Sequence, residues 1–315
     1  MTSIVIPAHN EERVIGRLLD ALLTGDFADT AGPAAGAPPD VVVVCNGCTD
    51  DTAKVAGARA GVRVVEIPVP SKHVALRTGD EHAAGFPRLY VDADVVLGAA
   101  DVRALAGALA GSPHLLAAAP ERELPLAGCA WRVRAYYRVW TRLPAVREGL
   151  FGRGVIAVTE RGWERLAALP PLMADDLAAS LAFGPGERRV VETARVVVHP
   201  PRTWADLIRR RIRAAVSTAQ LEGRQARTAA GGALTDGAPT QAGPAREAAP
   251  APEAAPPSAR TSTADLRTLL RGEPKLLPSV VVFLAAAVTA RRRAGKAIRD
   301  QDFGTWLRDE SSREG

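Results

Sequence analysis

The first hundred residues alternate short apolar runs with stretches whose apolar residues recur at helical spacing. Residues 3–7, SIVIP, read as a buried strand stopped by Pro7. Over 10–23, Val14, Ile15, Leu18, Leu19 and Leu22 predict a helix, with Asn10 as its cap and Glu11 and Glu12 at its positive end. A strand is predicted over 40–45, a helix over 49–60 capped by Thr49, a strand over 62–68, a helix over 72–84 and a strand over 88–97 interrupted by acids. Such alternation builds βαβ units, hence a mostly parallel sheet with helices on both faces.

Beyond residue 100 the pattern loosens. Helices are predicted near 101–110, 130–141, 173–183 and 203–223, and strands near 115–119 and over 188–201. Residues 149–159 read as a Gly-rich loop entering a strand, with FGRGV (151–155) supplying backbone close to a ligand or acceptor. Residues 224 to about 262 are rich in Ala, Pro, Gly, Thr and Ser and predict a disordered linker. In the last segment, 276–290 is apolar and is followed by Arg291, Arg292 and Arg293. It carries a Pro and is shorter than the roughly 20 residues of a membrane-spanning helix, so it reads as a core helix or an interfacial one.

With 47% hydrophobic and 24% charged residues among 315, a buried core is expected, in one large domain or two small ones. The net charge of +5 is local, since Arg209, Arg210, Arg211 and Arg213 lie on one predicted helix. That cluster lacks interleaved aromatics, so no nucleic-acid partner is expected. Three cysteines, an odd and low number, argue against a disulfide framework and fit a reducing cytoplasm. The chain enters a strand at once, without the basic and long apolar segments of a secretory leader.

Candidate chemistry begins with Cys45-Asn-Gly-Cys48. A redox pair would need a lowered thiol pKa at a helix start, and zinc would need two further ligands, which Cys129 and five histidines do not offer at finger spacing. The favoured reading is a turn flanked by small, half-buried residues beside a site. Asp92 and Asp94 interrupt an apolar strand, where carboxylates are costly unless a cation compensates them. Mg²⁺ or Mn²⁺ with a diphosphate would do so, and a strand ending in a polar loop is the alternative. Asp175 and Asp176 open a helix, a position that stabilises acids, but two adjacent acids exceed what a cap needs. His199 follows three valines, and a structural role is its plain reading.

In order, VIPAHNEE, CNGCTDDT, Lys72 with ALRTGD, YVDADV and ADDL resemble glycosyltransferase family 2, nucleotide-sugar enzymes of the GT-A fold, over residues 3 to about 221. The resemblance implies a catalytic domain over 1–223, with a nucleotide-binding half (1–100) and an acceptor half (101–223), then a linker (224–262) and a helical extension (263–315). It sets Pro7, Ala8, His9 and Glu11 beside the nucleoside. Cys45 and Asn46 stand where an acidic pair usually reads the base, while Asp50 remains as a possible contact. Lys72 falls near the donor phosphates, with Arg77 replacing the usual Asn. Asp92 and Asp94 match the motif that holds Mn²⁺ or Mg²⁺ on the diphosphate, Asp94 as direct ligand. His199 stands where some relatives supply a third ligand. Asp176 matches the general base, with Asp175 in reserve, and Arg210 or Arg213 would face the departing diphosphate in a loose version of a QxxRW element.

The implied activity is metal-dependent, inverting transfer of a sugar from a nucleotide sugar to a hydroxyl of a sugar, lipid-linked or small-molecule acceptor, in envelope polysaccharide or glycolipid synthesis. The expected location is cytoplasmic, with peripheral contact at the inner face of the membrane through the C-terminal extension. The rivals are a retaining enzyme on this fold, a nucleotidyltransferase, and a non-catalytic scaffold. PAHNEERV lacks the Gly-rich basic loop of a nucleotidyltransferase, and intact Asp92, Asp94 and Asp176 argue against a scaffold.

Overall fold

The computed structural model describes residues 1–24, 38–169, 175–232 and 261–299. In chain order the elements are β1 (Ser3–Ala8), α1 (Ile15–Leu23), β2 (Asp40–Asn46), α2 (Thr52–Gly57), β3 (Val62–Ile67), α3 (Lys72–His82), β4 (Arg88–Val91), β5 (Val95–Leu97), α4 (Ala99–Ala110) and β6 (Ala117–Glu123). There follow α5 (Trp131–Trp140), α6 (Pro144–Glu148), β7 (Val155–Val158), α7 (Glu160–Ala167), α8 (Asp175–Leu181), β8 (Arg188–Val198), α9 (Trp204–Gly232), α10 (Thr263–Gly272) and α11 (Leu277–Arg299). The strands form one sheet of order β3-β2-β1-β4-β7-β6-β8-β5.

The valine run of β2 is continuous because both of its faces are covered. Val41, Val43 and Cys45 join Leu18, Leu19 and Leu22 of α1 in one core, and Val42 and Val44 join Ala75 of α3 in another. β3, β2, β1 and β4 pair in parallel, as the alternation predicts. Beyond β4 the sheet becomes mixed: β7 is antiparallel to both β4 and β6, β6 runs parallel to β8, and β5 is antiparallel to β8. Pro7 is accommodated in a central strand because it lies past the last β1–β4 pair, Val5 with Tyr90.

The strand predicted over 88–97 is two strands. β4 ends at Val91 and β5 begins at Val95, and the two pair with different neighbours. Asp92, Ala93 and Asp94 occupy the turn between them. Other boundaries also differ from the sequence reading. α1 starts at Ile15, and Asn10 does not cap it: Asn10 has φ +54°, and its Oδ1 accepts from Thr49 N–H at 2.8 Å. α2 is confined to Thr52–Gly57, and Thr49 is not its cap. α6 and α7 were not foreseen, because each is short and polar on most of its turn. α9 runs on to Gly232 because residues 224–232 contain good helix formers and no proline before the Gly231-Gly232 pair. The remainder of the predicted linker, 233–260, lies outside the described residues, as does the end of the extension from 300.

A second, all-helical core is built by α5, α9, α10 and α11. Tyr136, Leu207, Leu266, Val280, Phe283 and Ala286 are buried in it, with the Tyr136 and Phe283 rings stacked at 5.2 Å. Burial of this face is what holds the C-terminal helices on the domain.

Candidate active site

Two loops at the C-terminal ends of β1 and β2 are laced together. The His9 Nδ1 lies 2.6 Å from the Asn46 carbonyl oxygen, and Asn46 Nδ2 donates to the Ala8 carbonyl at 2.8 Å. Glu11 N–H donates to Thr52 Oγ1 at 2.7 Å and Glu12 N–H to Asp50 Oδ2 at 3.2 Å. Asp50 also accepts from the Thr52 hydroxyl and N–H, so it supports the start of α2. Partial burial works against the Asp50 carboxylate, but these hydrogen bonds hold its pKa below the usual range. Pro7, Ala8, His9, Glu11, Asn46 and Asp50 are therefore brought together on one edge of the sheet, with the buried Asn46 amide acting as a strut.

The same lacing explains the cysteines. Cys48 Sγ accepts from Asn10 N–H at 3.4 Å and donates to the Ala8 carbonyl at 3.5 Å. Cys45 is buried, and burial, with Cys48 close by, pushes its thiol up to about 12. A nucleophilic or metal-binding thiolate needs the opposite shift.

At the C-terminal end of β4, Asp92 N–H donates to the Gly154 carbonyl at 2.8 Å, and Lys72 Nζ donates to Asp92 Oδ1 at 2.8 Å. Lys72 is the first residue of α3, whose cap Ser71 accepts from Val74 N–H. Both ends of the Lys72–Asp92 pair are more than a third exposed, so the pair can open to a ligand. Asp94 lies in the turn just before β5, whose Val95 pairs with Val198, the residue before His199. Burial holds the His199 imidazole below the usual histidine range, with Arg17 and Arg202 acting the same way and Asp94 against them. That favours the neutral, metal-binding form of the ring.

Among the described residues no group of three His, Cys, Asp or Glu side chains is placed to hold a metal ion, so Asp92 and Asp94 are the carboxylates that a cation brought in with a diphosphate would meet. Mg²⁺ commonly takes one or two carboxylates and completes its shell with water and phosphate oxygens, and Mn²⁺ accepts the same oxygens and tolerates imidazole.

Asp176 faces the same cleft. Its Oδ2 accepts from Gly152 N–H at 2.8 Å and its Oδ1 from Leu177 N–H at 2.9 Å, which leaves each oxygen a further lone pair. The side chain of Asp175 lies outside the described residues. Pro7, Lys72, Asp92, Gly154 and Asp176 line one cavity beneath α8.

The loop that presents Gly152 is held by two arginines that the sequence did not single out. Arg153, 2% exposed, donates to the carbonyls of Pro120, Val146, Arg147 and Gly149. Arg122 donates to Val146 O at 2.6 Å and lies over the Trp140 ring at 4.6 Å. Burial lowers the Arg122 pKa to about 9, Arg153 and Arg210 add to that, and Asp176 opposes it. Asp176, Arg122 and Arg210 thus share one electrostatic neighbourhood. Arg213 is half-buried nearly one turn further along α9, and Arg209 is drawn away into an ion pair with Asp206.

Residues 3–143 match the family described as Glycosyl transferase family 2. A 99-residue stretch is 35% identical to 4,4'-diaponeurosporenoate glycosyltransferase of Staphylococcus aureus (strain USA300), covering 30% of this chain and 24% of that protein's length. Among solved structures, the mannosyltransferase PcManGT from Pyrobaculum calidifontis, in complex with GDP-Man and Mn²⁺, superposes with a TM-score of 0.52 at 19% identity over 99% of this chain and 84% of that one. Glucosyl-3-phosphoglycerate synthase from Mycobacterium tuberculosis, in complex with UDP, gives 0.47 at 23% identity over 66% of this chain and 74% of that one. The sheet and its flanking helices are the GT-A fold, and the stretch over residues 3–143 is similar to glycosyl transferase family 2.

Proposed function

We propose that the protein is a metal-dependent glycosyltransferase that moves a sugar from a nucleotide-sugar donor to an acceptor hydroxyl with inversion at the anomeric carbon. The observation that carries this reading is the convergence of Lys72, Asp92 and Asp176 on one cavity, with Asp94 close enough to His199 to act on its charge.

In this reading the nucleoside lies against the β1 and β2 loops, beside Pro7, Ala8, His9, Glu11, Asn46 and Asp50. Asp92 and Asp94, with His199 near them, would hold Mn²⁺ or Mg²⁺. A cation bound there supplies positive charge opposite the leaving group. Lys72, released from Asp92, and Arg210 or Arg213 add cationic hydrogen-bond donors to the same phosphates. Asp176 takes the proton of the acceptor hydroxyl as its oxygen bonds to the anomeric carbon. The bond from that carbon to the phosphate oxygen breaks, and the electron pair leaves on the nucleoside diphosphate. The backbone N–H groups of Gly152 and Leu177 hold the Asp176 carboxylate in place until then.

We also propose that the protein works at the inner, cytoplasmic face of the membrane. Leu277, Val281, Leu284 and Val288 of α11 are 45–59% exposed, lie in one stripe facing away from the helical core, and end at the exposed Arg291, Arg292 and Arg293. An apolar stripe closed by arginines suits the boundary between acyl chains and anionic headgroups.

The test is binding of UDP-, GDP- and dTDP-sugars to the full chain with Mn²⁺ and with EDTA, followed by NMR of the anomeric product. Metal-dependent binding of one nucleotide class, weakened at least tenfold in Asp94→Ala and His199→Ala, is expected. Donor binding unchanged by EDTA and by both substitutions would overturn the metal assignment, and no donor binding to folded protein would overturn the transferase reading.

A further inference from the structure

The cavity that holds Lys72, Asp92 and Asp176 does not stop at them. The whole cavity, ≈ 140 Å³, extends between α3, α7 and α8 as a chamber whose aliphatic wall includes Leu76, Val91, Ile156, Leu166 and Leu169. Small residues keep it open: Ala178 and Ala179 on α8, Ala167 at the end of α7, and Gly154 below Asp92. The polar groups deeper in the chamber are already engaged. Tyr90 OH donates to Asp80 at 2.7 Å, Arg88 donates to the same carboxylate at 2.8 Å, and Arg77 donates to the Ala167 carbonyl at 3.2 Å. An occupant would therefore meet hydrocarbon at one end and charged groups at the other.

Against the aliphatic part of these walls the hydroxyls of a sugar ring or the phosphates of a nucleotide would be desolvated without compensation. An alkyl or ring segment attached to a hydroxyl would fill the chamber while its oxygen reached Asp176.

We infer that the acceptor is an amphiphile, a hydroxyl-bearing molecule whose apolar segment occupies this chamber. The inference rests on the transferase reading and narrows its acceptor to molecules with a hydrocarbon portion next to the reacting oxygen. It agrees with the apolar stripe on α11, since an acceptor of this kind would be drawn from a lipid phase.

The experiment uses the full chain with n-alkanols from butanol to octanol as probes. Their binding is measured by calorimetry, with and without Mn²⁺ and the donor sugar nucleotide, and alkyl glycoside formation is followed in parallel. Affinity should rise by about fourfold per added methylene until the chamber is full. Ala167→Trp, at an exposed position on the chamber's rim, should weaken octanol binding at least tenfold and leave donor affinity unchanged. Leu166→Ala, which enlarges the chamber, should shift the best chain length upward and serves if the tryptophan variant does not fold. Alkanol affinity that is flat with chain length, with donor binding intact, would overturn the inference and leave the transferase reading standing. A steep chain-length dependence without any donor binding would overturn the transferase reading and with it the acceptor role.

Discussion

Gly154 links the stability of the fold to the placement of Asp92. It has φ +66°, and its carbonyl accepts the Asp92 N–H at 2.8 Å. A Cβ placed there would stand 2.6 Å from Val95 Cγ1 and 3.3 Å from Asp92 Oδ2. Gly154→Ala therefore meets two separate costs. The left-handed backbone conformation costs an alanine about 1–2 kcal/mol. The contact with Val95, a stiff β-branched residue that is 2% exposed, adds overpacking of about 1–3 kcal/mol. Together they amount to about 2–5 kcal/mol, a large part of the roughly 5–15 kcal/mol that keeps a domain folded. The strain is relieved by moving the turn that carries Asp92. A displacement of about 1 Å at such a centre can lower turnover about a hundredfold. The assays are urea denaturation and sugar transfer at saturating Mn²⁺. Gly154→Ala with the parental urea midpoint and turnover within twofold would refute the reasoning, because neither the backbone conformation nor the approach to Val95 would then matter.

Three other outcomes are expected. Asp176→Asn should bind donor and Mn²⁺ normally yet lose transfer by about 10²–10⁴-fold, the usual contribution of a general base, as measured by product formation beside donor titration. Cys45 should resist iodoacetamide at pH 8 in the native protein and react once unfolded, read by mass spectrometry. Its thiol ionises near 9.0 when unfolded and only at about 12 when folded, so the unfolded state loses its proton first and stability should fall as pH rises between those values. Val281→Glu with Leu284→Glu should abolish sedimentation with anionic vesicles while leaving the thermal midpoint nearly unchanged, because both positions are exposed; undiminished sedimentation would remove the membrane contact.

Much of the nucleotide-binding half is legible along the chain. The strands at 3–8, 40–46 and 62–67 and the helix that starts at Lys72 follow from apolar patterning, because each buries side chains at its own characteristic period. The acids of 92–94 are legible as well, since carboxylates inside an apolar run call for a reason. Arg122 and Arg153 are not legible. Their partners are backbone carbonyls far along the chain, such as Pro120 for Arg153 and Val146 for Arg122, and every residue carries a carbonyl. Nothing in the residue types marks which carbonyls converge. The two-strand character of 88–97 is hidden for a similar reason: β4 and β5 have the composition of one strand, and only their separate neighbours divide them.

The sequence by itself determined the α/β class, the alternating strands and helices of a mostly parallel sheet and the acids on which a cation site would depend, because hydrophobic burial reads local periodicity. Tertiary structure decided what those acids face. The pairing of β5 with β8 brought Asp94 within electrostatic reach of His199, the buried Arg153 fixed the loop whose Gly152 N–H holds Asp176, and the small residues of α7 and α8 left a partly aliphatic cavity beside that carboxylate. Register, hydrogen bonds to backbone carbonyls and unfilled space belong to the arrangement of segments distant in sequence, and no single segment carries them.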